Sequence, residues 1–329
     1  MVIPTFSGLR AVVVGDIMLD QFWFGKATKL SPEAPVPVVV ASQESDSLGG
    51  AANVAANLRA MGCDVVLSGY IANDAYGEKV RELLCDMGIK LVAGEAASPT
   101  VTKTRIIAND QHVLRYDREK PFEPTDAEQE RLVDQLSYLH TDVVFFSDYD
   151  KGTVTKSLVD GVRGLAGQAP LIVDCKPKNA GLFSGFHTMT PNRAEASVLV
   201  PGVDEEKASE EIRNRYCLNT VVLTMSERGV LVRDSSGCSH IPAFQYVPVE
   251  ERHHRLDVAG AGDTLTSVYG CCLASGMSPR MAAWYGNVAA AVVVNKLGTS
   301  VCTSEEFSEA VRQGEMLGKK VDADIRGTC

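Results

Sequence analysis

Asp263 stands directly behind Gly260-Ala261-Gly262, where side-chain bulk is almost absent. Leu265, Val268, Tyr269, Cys272 and Leu273 follow at i, i+3, i+4, i+7, i+8 spacing, and Gly276 is a natural stop, so the spacing predicts a helix opening out of a small-residue loop. Such a loop offers backbone N–H groups and the positive end of the helix dipole to an anion. A carboxylate at the same place can accept a proton. Phosphoryl transfer to a hydroxyl needs both: amides that stabilise charge on the transferring group, and a base for the hydroxyl proton. An Asp that merely caps the helix behind a glycine turn would look the same, and loop chemistry alone does not choose. No Gly-Lys-Ser/Thr follows the glycines, which excludes a P-loop.

A second cluster of small residues lies far upstream, at Gly49-Gly50-Ala51-Ala52-Asn53-Val54-Ala55. Gly49 and Gly50 let a ligand approach the backbone at a helix start. Asn53 both donates and accepts hydrogen bonds, as sugar hydroxyls require. A tightly packed helix would use the same alanines. Lys103 and Arg105 share one face of an alternating stretch, where two cations could hold a phosphate monoester; a solvated strand face is the alternative. Asp16 and Asp20 follow the first apolar run, where open α/β sheets place ligands. Asp16 is the better candidate for sugar hydroxyls, and Asp20 could equally begin a hinge.

The elements that must position these residues read as an α/β fold. Ala11–Val14, Val65–Leu67, Val143–Phe146, Leu171–Val173 and Val221–Leu223 are apolar on both faces, as strands covered on both sides should be. Helical stretches such as 50–61, 74–87 and 127–139 separate many of them, which predicts a doubly wound, mostly parallel sheet with helices on both faces. Segments 20–45 and 101–117 break that rhythm and read as a small β-sheet lid, with edge strands of the main sheet as the alternative. No repeat or Gly/Ser linker divides residues 1–329, so one domain carrying a lid is expected. Lys and Arg number 32 against 42 Asp and Glu, and no basic block stands out, which disfavours nucleic acid and anionic membrane surfaces as partners. The nine cysteines form no CxxC pair and suggest a reduced cytoplasmic protein. No signal peptide or membrane span is expected. His253-His254, amid Glu250, Glu251, Arg252 and Arg255, reads as a solvated loop rather than a metal site.

Asp257 to Thr264 resembles the C-terminal signature of the ribokinase-type (PfkB) carbohydrate kinases, and Gly49 to Ala55 resembles their other signature, in the expected order. The likeness extends to the bacterial heptose 7-phosphate kinases. It runs through Val13–Asp20, Phe22–Gly25, Leu30–Val39, Pro99–Arg105, Ser147–Gly152 and Asn295–Ser300. It implies transfer of phosphate from ATP, with magnesium, to O1 of D-glycero-D-manno-heptose 7-phosphate, on the way to ADP-heptose and lipopolysaccharide core. Asp263 would be the base, with the anion loop at Gly260, Ala261 and Gly262. Asp16, Gly49, Gly50, Asn53, Lys103 and Arg105 would bind the sugar phosphate. Thr190–Glu195 looks like the family's Asn-x-x-Glu element, so Asn192 and Glu195 would lie near the phosphates and magnesium. Glu195 would equally serve as a capping-box partner of Asn192. Lys176, Thr224, Ser226, Gly229 and Asn287 would lie on the nucleotide side. In relatives the segment starting at Asp257 often helps to bind a monovalent cation, and Ala259 stands where many carry Thr, which leaves potassium activation open. Related kinases often pair through the lid, so a homodimer is expected. Some are fused to a nucleotidyltransferase. With its end at Cys329, this chain is expected to perform the kinase step alone. A kinase for another sugar, or a non-catalytic binding protein on the same scaffold, are the rival readings.

Overall fold

The computed structural model describes residues 3–246 and 258–317. The chain opens with β1 (Arg10–Gly15), sends out the long pair β2 (Ile17–Leu30) and β3 (Pro37–Gly50), and returns as α1 (Ala51–Ala60). Next come β4 (Asp64–Ile71), α2 (Ala75–Asp86) and β5 (Lys90–Glu95). A second excursion, β6 (Val101–Ala108) and β7 (Gln111–Arg118), leads to α3 (Asp126–Leu136). The following stretch is β8 (Val143–Ser147), α4 (Lys156–Ala166), β9 (Leu171–Asp174), β10 (Thr188–Met189), α5 (Arg193–Leu199), α6 (Glu205–Arg215) and β11 (Thr220–Thr224). The hairpin β12 (Val230–Asp234) and β13 (Gly237–Ile241) precedes α7 (Ala261–Ala274), α8 (Pro279–Val293) and α9 (Ser304–Leu317).

Nine strands form one sheet in the order β13-β12-β11-β10-β9-β8-β1-β4-β5. Pairing is parallel from β11 through to β5 and antiparallel only at the β12–β13 edge. The chain builds outward from β1 through β4 to β5, then resumes on the other side of β1 with β8. That reversal is the topological switch point, and open α/β sheets bind ligands outside the strand ends there.

The strands are apolar on both faces because both faces are covered. Val13 and Phe145 enter the core shared with α1, α7, α8 and α9, whereas Val12, Val14 and Phe146 enter the core shared with α3 and α4. Phe145 also sets the position of α7. A side-chain carbon at Gly270 would lie 2.4 Å from its ring, so only glycine lets this helix settle on the sheet. Emptying that contact by Phe145→Ala would cost about 3–5 kcal/mol.

The second sheet has four strands in the order β3-β2-β6-β7, so the segments read as a small accessory sheet do form one. It grows from the end of β1. Gly50 ends β3 at φ 56°, and a Cβ there would lie 2.5 Å from the Asp16 carbonyl. That oxygen accepts the Ala51 N–H at 3.0 Å, so the chain turns from the small sheet straight into α1. α7 ends where expected, with Gly276 at φ 81° just past it. Among the described residues no helix is long and apolar enough to cross a membrane. The described cysteines are free thiols.

Candidate active site

α1 and α7 run side by side and bring the two small-residue clusters together. Asn53, on the first turn of α1, donates from Nδ2 to Asp263 Oδ2 at 2.7 Å across 210 residues of sequence. Asn57, one turn on, donates to the Asn53 carbonyl at 3.0 Å and accepts from Thr264 Oγ1 at 2.9 Å. Gly260 adopts the left-handed conformation at φ 79°, and a Cβ there would press on Asn53 Nδ2 at 2.8 Å. Its glycine identity thus serves the Asn53–Asp263 contact. A Cβ at Gly262 would meet no described atom within 4 Å, so the loop presents its backbone to open space there. Ala261 and Gly262 begin α7, whose first amides lack i−4 partners by construction, and an anion can use them.

The Asp263 carboxyl is buried, and burial pushes it up to about 6 against the opposing hydrogen bonds from Asn53 and Tyr149. It is therefore ionised at neutral pH yet basic enough to take a proton. Tyr149 donates to its Oδ1 at 3.1 Å.

Around this base the sugar-side candidates take distinct positions. Asp16 accepts backbone N–H groups from Tyr149, Lys151 and Thr153 at 2.8, 3.0 and 3.1 Å. Its carboxylate clamps the loop after β8 to the end of β1. Asp20 accepts from Arg105 Nη1 at 2.8 Å and from Thr299 Oγ1 at 3.2 Å. Gly49 makes room for it, since a Cβ there would sit 2.7 Å from Asp20 Oδ2. Lys103 forms no salt bridge among the described residues, and its ammonium lies 4.9 Å from the Tyr149 ring centroid. Burial is the main cause that pulls the Lys103 ammonium below its usual range, with Asp20 opposing it. An arriving phosphate would relieve that cost.

The nucleotide-side candidates line up on successive strand ends. Lys176 follows β9, Asn192 and Glu195 open α5 after β10, and Thr224 ends β11. Asn192 and Glu195 form a reciprocal capping box at 2.9 and 3.0 Å, so the capping reading of Glu195 holds. Its other oxygen accepts from Lys176 Nζ at 2.7 Å. Asn192 and Thr224 are joined by a β-bridge. Ser226 and Gly229 take positive φ, 53° and 85°, in the turn before β12. Asn287 donates to the Pro242 carbonyl at 2.7 Å, just past the end of β13 and beside the Gly229 turn. Asp174 is partly buried beside Glu195 and Asp263, and burial with those two charges drives it well above the carboxylate range. Among the described residues no cluster of three His, Cys, Asp or Glu side chains could cage a metal. A divalent ion here would be held through water and phosphate oxygens, as magnesium usually is. Asp257, His253 and His254 lie outside the described residues.

Tyr149, Asn57 and Thr299 join the site without having been singled out from their chemistry. Asn57 had a usable signal, since it is one helical turn from Asn53. Tyr149 and Thr299 had none beyond membership of stretches that carry the resemblance.

A carboxylate that could act as a base and a small-residue loop that could hold an anion thus meet outside the strand ends of a doubly wound α/β sheet. The family model described as "pfkB family carbohydrate kinase" matches residues 9–306, and the chain belongs to that family. It is a phosphotransferase acting on an alcohol group. A Citrifermentans bemidjiense protein named bifunctional protein HldE is 37% identical over 332 residues, covering 97% of this chain. The chain spans only 66% of that relative's length. A Bordetella bronchiseptica protein named D-beta-D-heptose 7-phosphate kinase is 35% identical, covering 91% of this chain and 95% of its own. The fold matches the Escherichia coli phosphofructokinase-2 crystal structure with a TM-score of 0.76 at 19% identity, over 93% of this chain and 98% of that one.

Proposed function

We propose that the protein transfers the γ-phosphoryl group of ATP to O1 of D-glycero-D-manno-heptose 7-phosphate, giving heptose 1,7-bisphosphate for ADP-heptose and lipopolysaccharide core synthesis. The observation that carries the chemistry is the 2.7 Å contact between Asn53 and Asp263, which brings a hydroxyl-binding group and a buried base to one point. The relatives of similar sequence carry the choice of sugar.

Asp263 takes the O1 proton as the oxygen attacks. The amides of Gly260, Ala261 and Gly262 face the charge that builds on the transferring group. Lys103, in no salt bridge among the described residues, binds the 7-phosphate. Arg105 keeps donors to spare beyond its Asp20 contact and adds to that site. Asp16 shapes the sugar pocket through the loop it clamps. Lys176, Asn192, Thr224, Ser226 and Gly229 lie along the phosphates of ATP, and Asn287 lies toward its base. Glu195 would help to hold a divalent ion, which would neutralise phosphate charge; the segment from Asp257 would serve a monovalent ion. The small sheet acts as a lid that shields the transfer from water. Its Leu114 and Tyr116, two apart on β7 and both exposed, suit a dimer contact in the cytoplasm; light scattering of Leu114→Lys should read monomer, and an unchanged mass would remove that contact.

The test of the sugar assignment is a panel of heptose 7-phosphate, fructose 6-phosphate, fructose and ribose, with ADP release coupled to NADH oxidation. Heptose 7-phosphate should give the highest kcat/KM. A better rate with any other sugar replaces the acceptor, and ligand binding without turnover on the whole panel replaces the enzyme by a binding protein.

A further inference from the structure

Tyr149 occupies the centre of the cleft. Its backbone N–H is fixed on Asp16 at 2.8 Å. Its side chain is partly buried, and burial first, then the Asp263 charge, drives the phenol well above its usual range, so it stays protonated and donates. The acceptor of that proton is Asp263 Oδ1, at 3.1 Å, while Asn53 serves Oδ2 from the opposite side at 2.7 Å. One donor on each oxygen fixes the rotation of the carboxylate, leaving each oxygen a further lone pair for the acceptor hydroxyl. The ring does separate work. The Lys103 ammonium lies 4.9 Å and the Lys176 ammonium 5.3 Å from its centroid, within the range of cation–π attraction. One side chain therefore touches the base, the sugar-side cation and the nucleotide-side cation.

We propose that Tyr149 is the positioning residue of the transfer: its hydroxyl aims the Asp263 carboxylate, and its ring sets the spacing between the lysines that receive the two substrates. This rests on Asp263 as the base. It adds a division of labour, because the hydroxyl acts on turnover and the ring acts on binding.

The charged groups facing Asp263 are Asp20 from β2, Lys103 from β6, Asp174 from β9 and the phenol itself. Burial raises Asp263, and the two hydrogen bonds oppose it. Tyr149→Phe removes one opposing contact and keeps the ring. The base must be ionised to work, so a higher pKa moves the acid limb of kcat to higher pH.

The experiment compares Tyr149→Phe and Tyr149→Leu in the full chain, with whichever panel sugar the wild type phosphorylates. In Tyr149→Phe, kcat on the pH plateau should fall roughly ten- to a hundred-fold. Its acid limb should rise by about one pH unit, and both KM values should stay within about three-fold of wild type. Tyr149→Leu should lose turnover similarly and raise both KM values as well. Thermal melts establish that each variant is folded. Wild-type kcat and an unmoved limb in Tyr149→Phe overturn the proposal. So does a change confined to KM. The Asp263 carboxyl carbon, assigned by its loss in Asp263→Asn and titrated by NMR, gives a reading independent of turnover. An upward move in Tyr149→Phe supports the contact even if the sugar assignment fails, and no move overturns it.

Discussion

The end of the cleft proposed to take the acceptor is closed by its own hydrogen bonds, whereas the end proposed to take the nucleotide is more open. Asp16, Asp20, Asn53 and Asp263 are all buried, and each is already bonded: to loop amides, to Arg105 and Thr299, and to one another. Ser47 and Thr299 add a further contact at 2.6 Å. On the nucleotide side, Asn192 and Ser226 are exposed, and the Lys176 side chain retains 40% of its accessibility despite its pairing with Glu195. A network finished before the ligand arrives aims groups for the reaction. An open set of donors is completed by the ligand it binds. Changes at the acceptor end should therefore cost turnover or acceptor recognition, and changes at the nucleotide end should cost ATP affinity.

The largest effect expected is that of Asp263→Asn, a loss of roughly 10²–10⁴ in kcat with heptose 7-phosphate binding preserved. Near-normal turnover would remove the base from Asp263. The same substitution should stabilise the fold. A carboxyl raised to about 6 by burial favours the folded state fully below its unfolded pKa, and that contribution is lost as pH rises through about 6. At pH 7.5 Asp263→Asn should thus be more stable than wild type by up to about 3 kcal/mol, with the gain vanishing toward pH 4. Melting curves across that window would show a flatter pH dependence in the variant, and parallel curves would mean that the burial cost is not felt.

Lys103→Ala comes next. It should raise KM for the phosphorylated acceptor by roughly ten- to a hundred-fold, the worth of a hydrogen bond to a charged group, and leave an unphosphorylated heptose nearly unaffected. Equal losses on both sugars would move the phosphate site elsewhere. The smallest change expected is for Lys176→Ala, at most about ten-fold in KM for ATP, because its partly exposed charge is screened by solvent. A large fall in kcat there would erase the contrast between the two ends.

How much of this was legible in the sequence differs along the same line. Strands apolar on both faces announce a sheet covered on both sides, so β1, β4, β8, β9 and β11 were readable. β10 is two residues long, too short for any period to register. The β12–β13 hairpin lies at the sheet edge and pairs antiparallel, outside the alternation of buried strand and helix that marks the rest of the sheet. Gly50 and Gly260 were readable as special positions, since positive φ and close approach leave a glycine signature. Asp16 and Asp20 were both visible as acids behind the first strand. Which one faces Arg105 depends on amides that the β8 loop supplies from more than 130 residues away. No spacing rule links Asn53 to Asp263: the resemblance placed both in the site, and their contact is explained only by the packing of α1 on α7. Tyr149 carries no periodicity or spacing signal beyond its place in Ser147–Gly152: its proposed role is made by three partners distant in sequence.

The most direct test of transfer to the anomeric oxygen is phosphorus NMR of the product formed from heptose 7-phosphate and ATP. A phosphate on O1 couples to the single anomeric proton and gives a doublet, beside the triplet of the phosphate on the C7 methylene. Equal intensities of a new doublet and a retained triplet are expected, with ADP formed in step. ADP formation with no new sugar-phosphate resonance, or a new phosphate on any other carbon, would contradict the assignment of O1 as the group that Asp263 deprotonates.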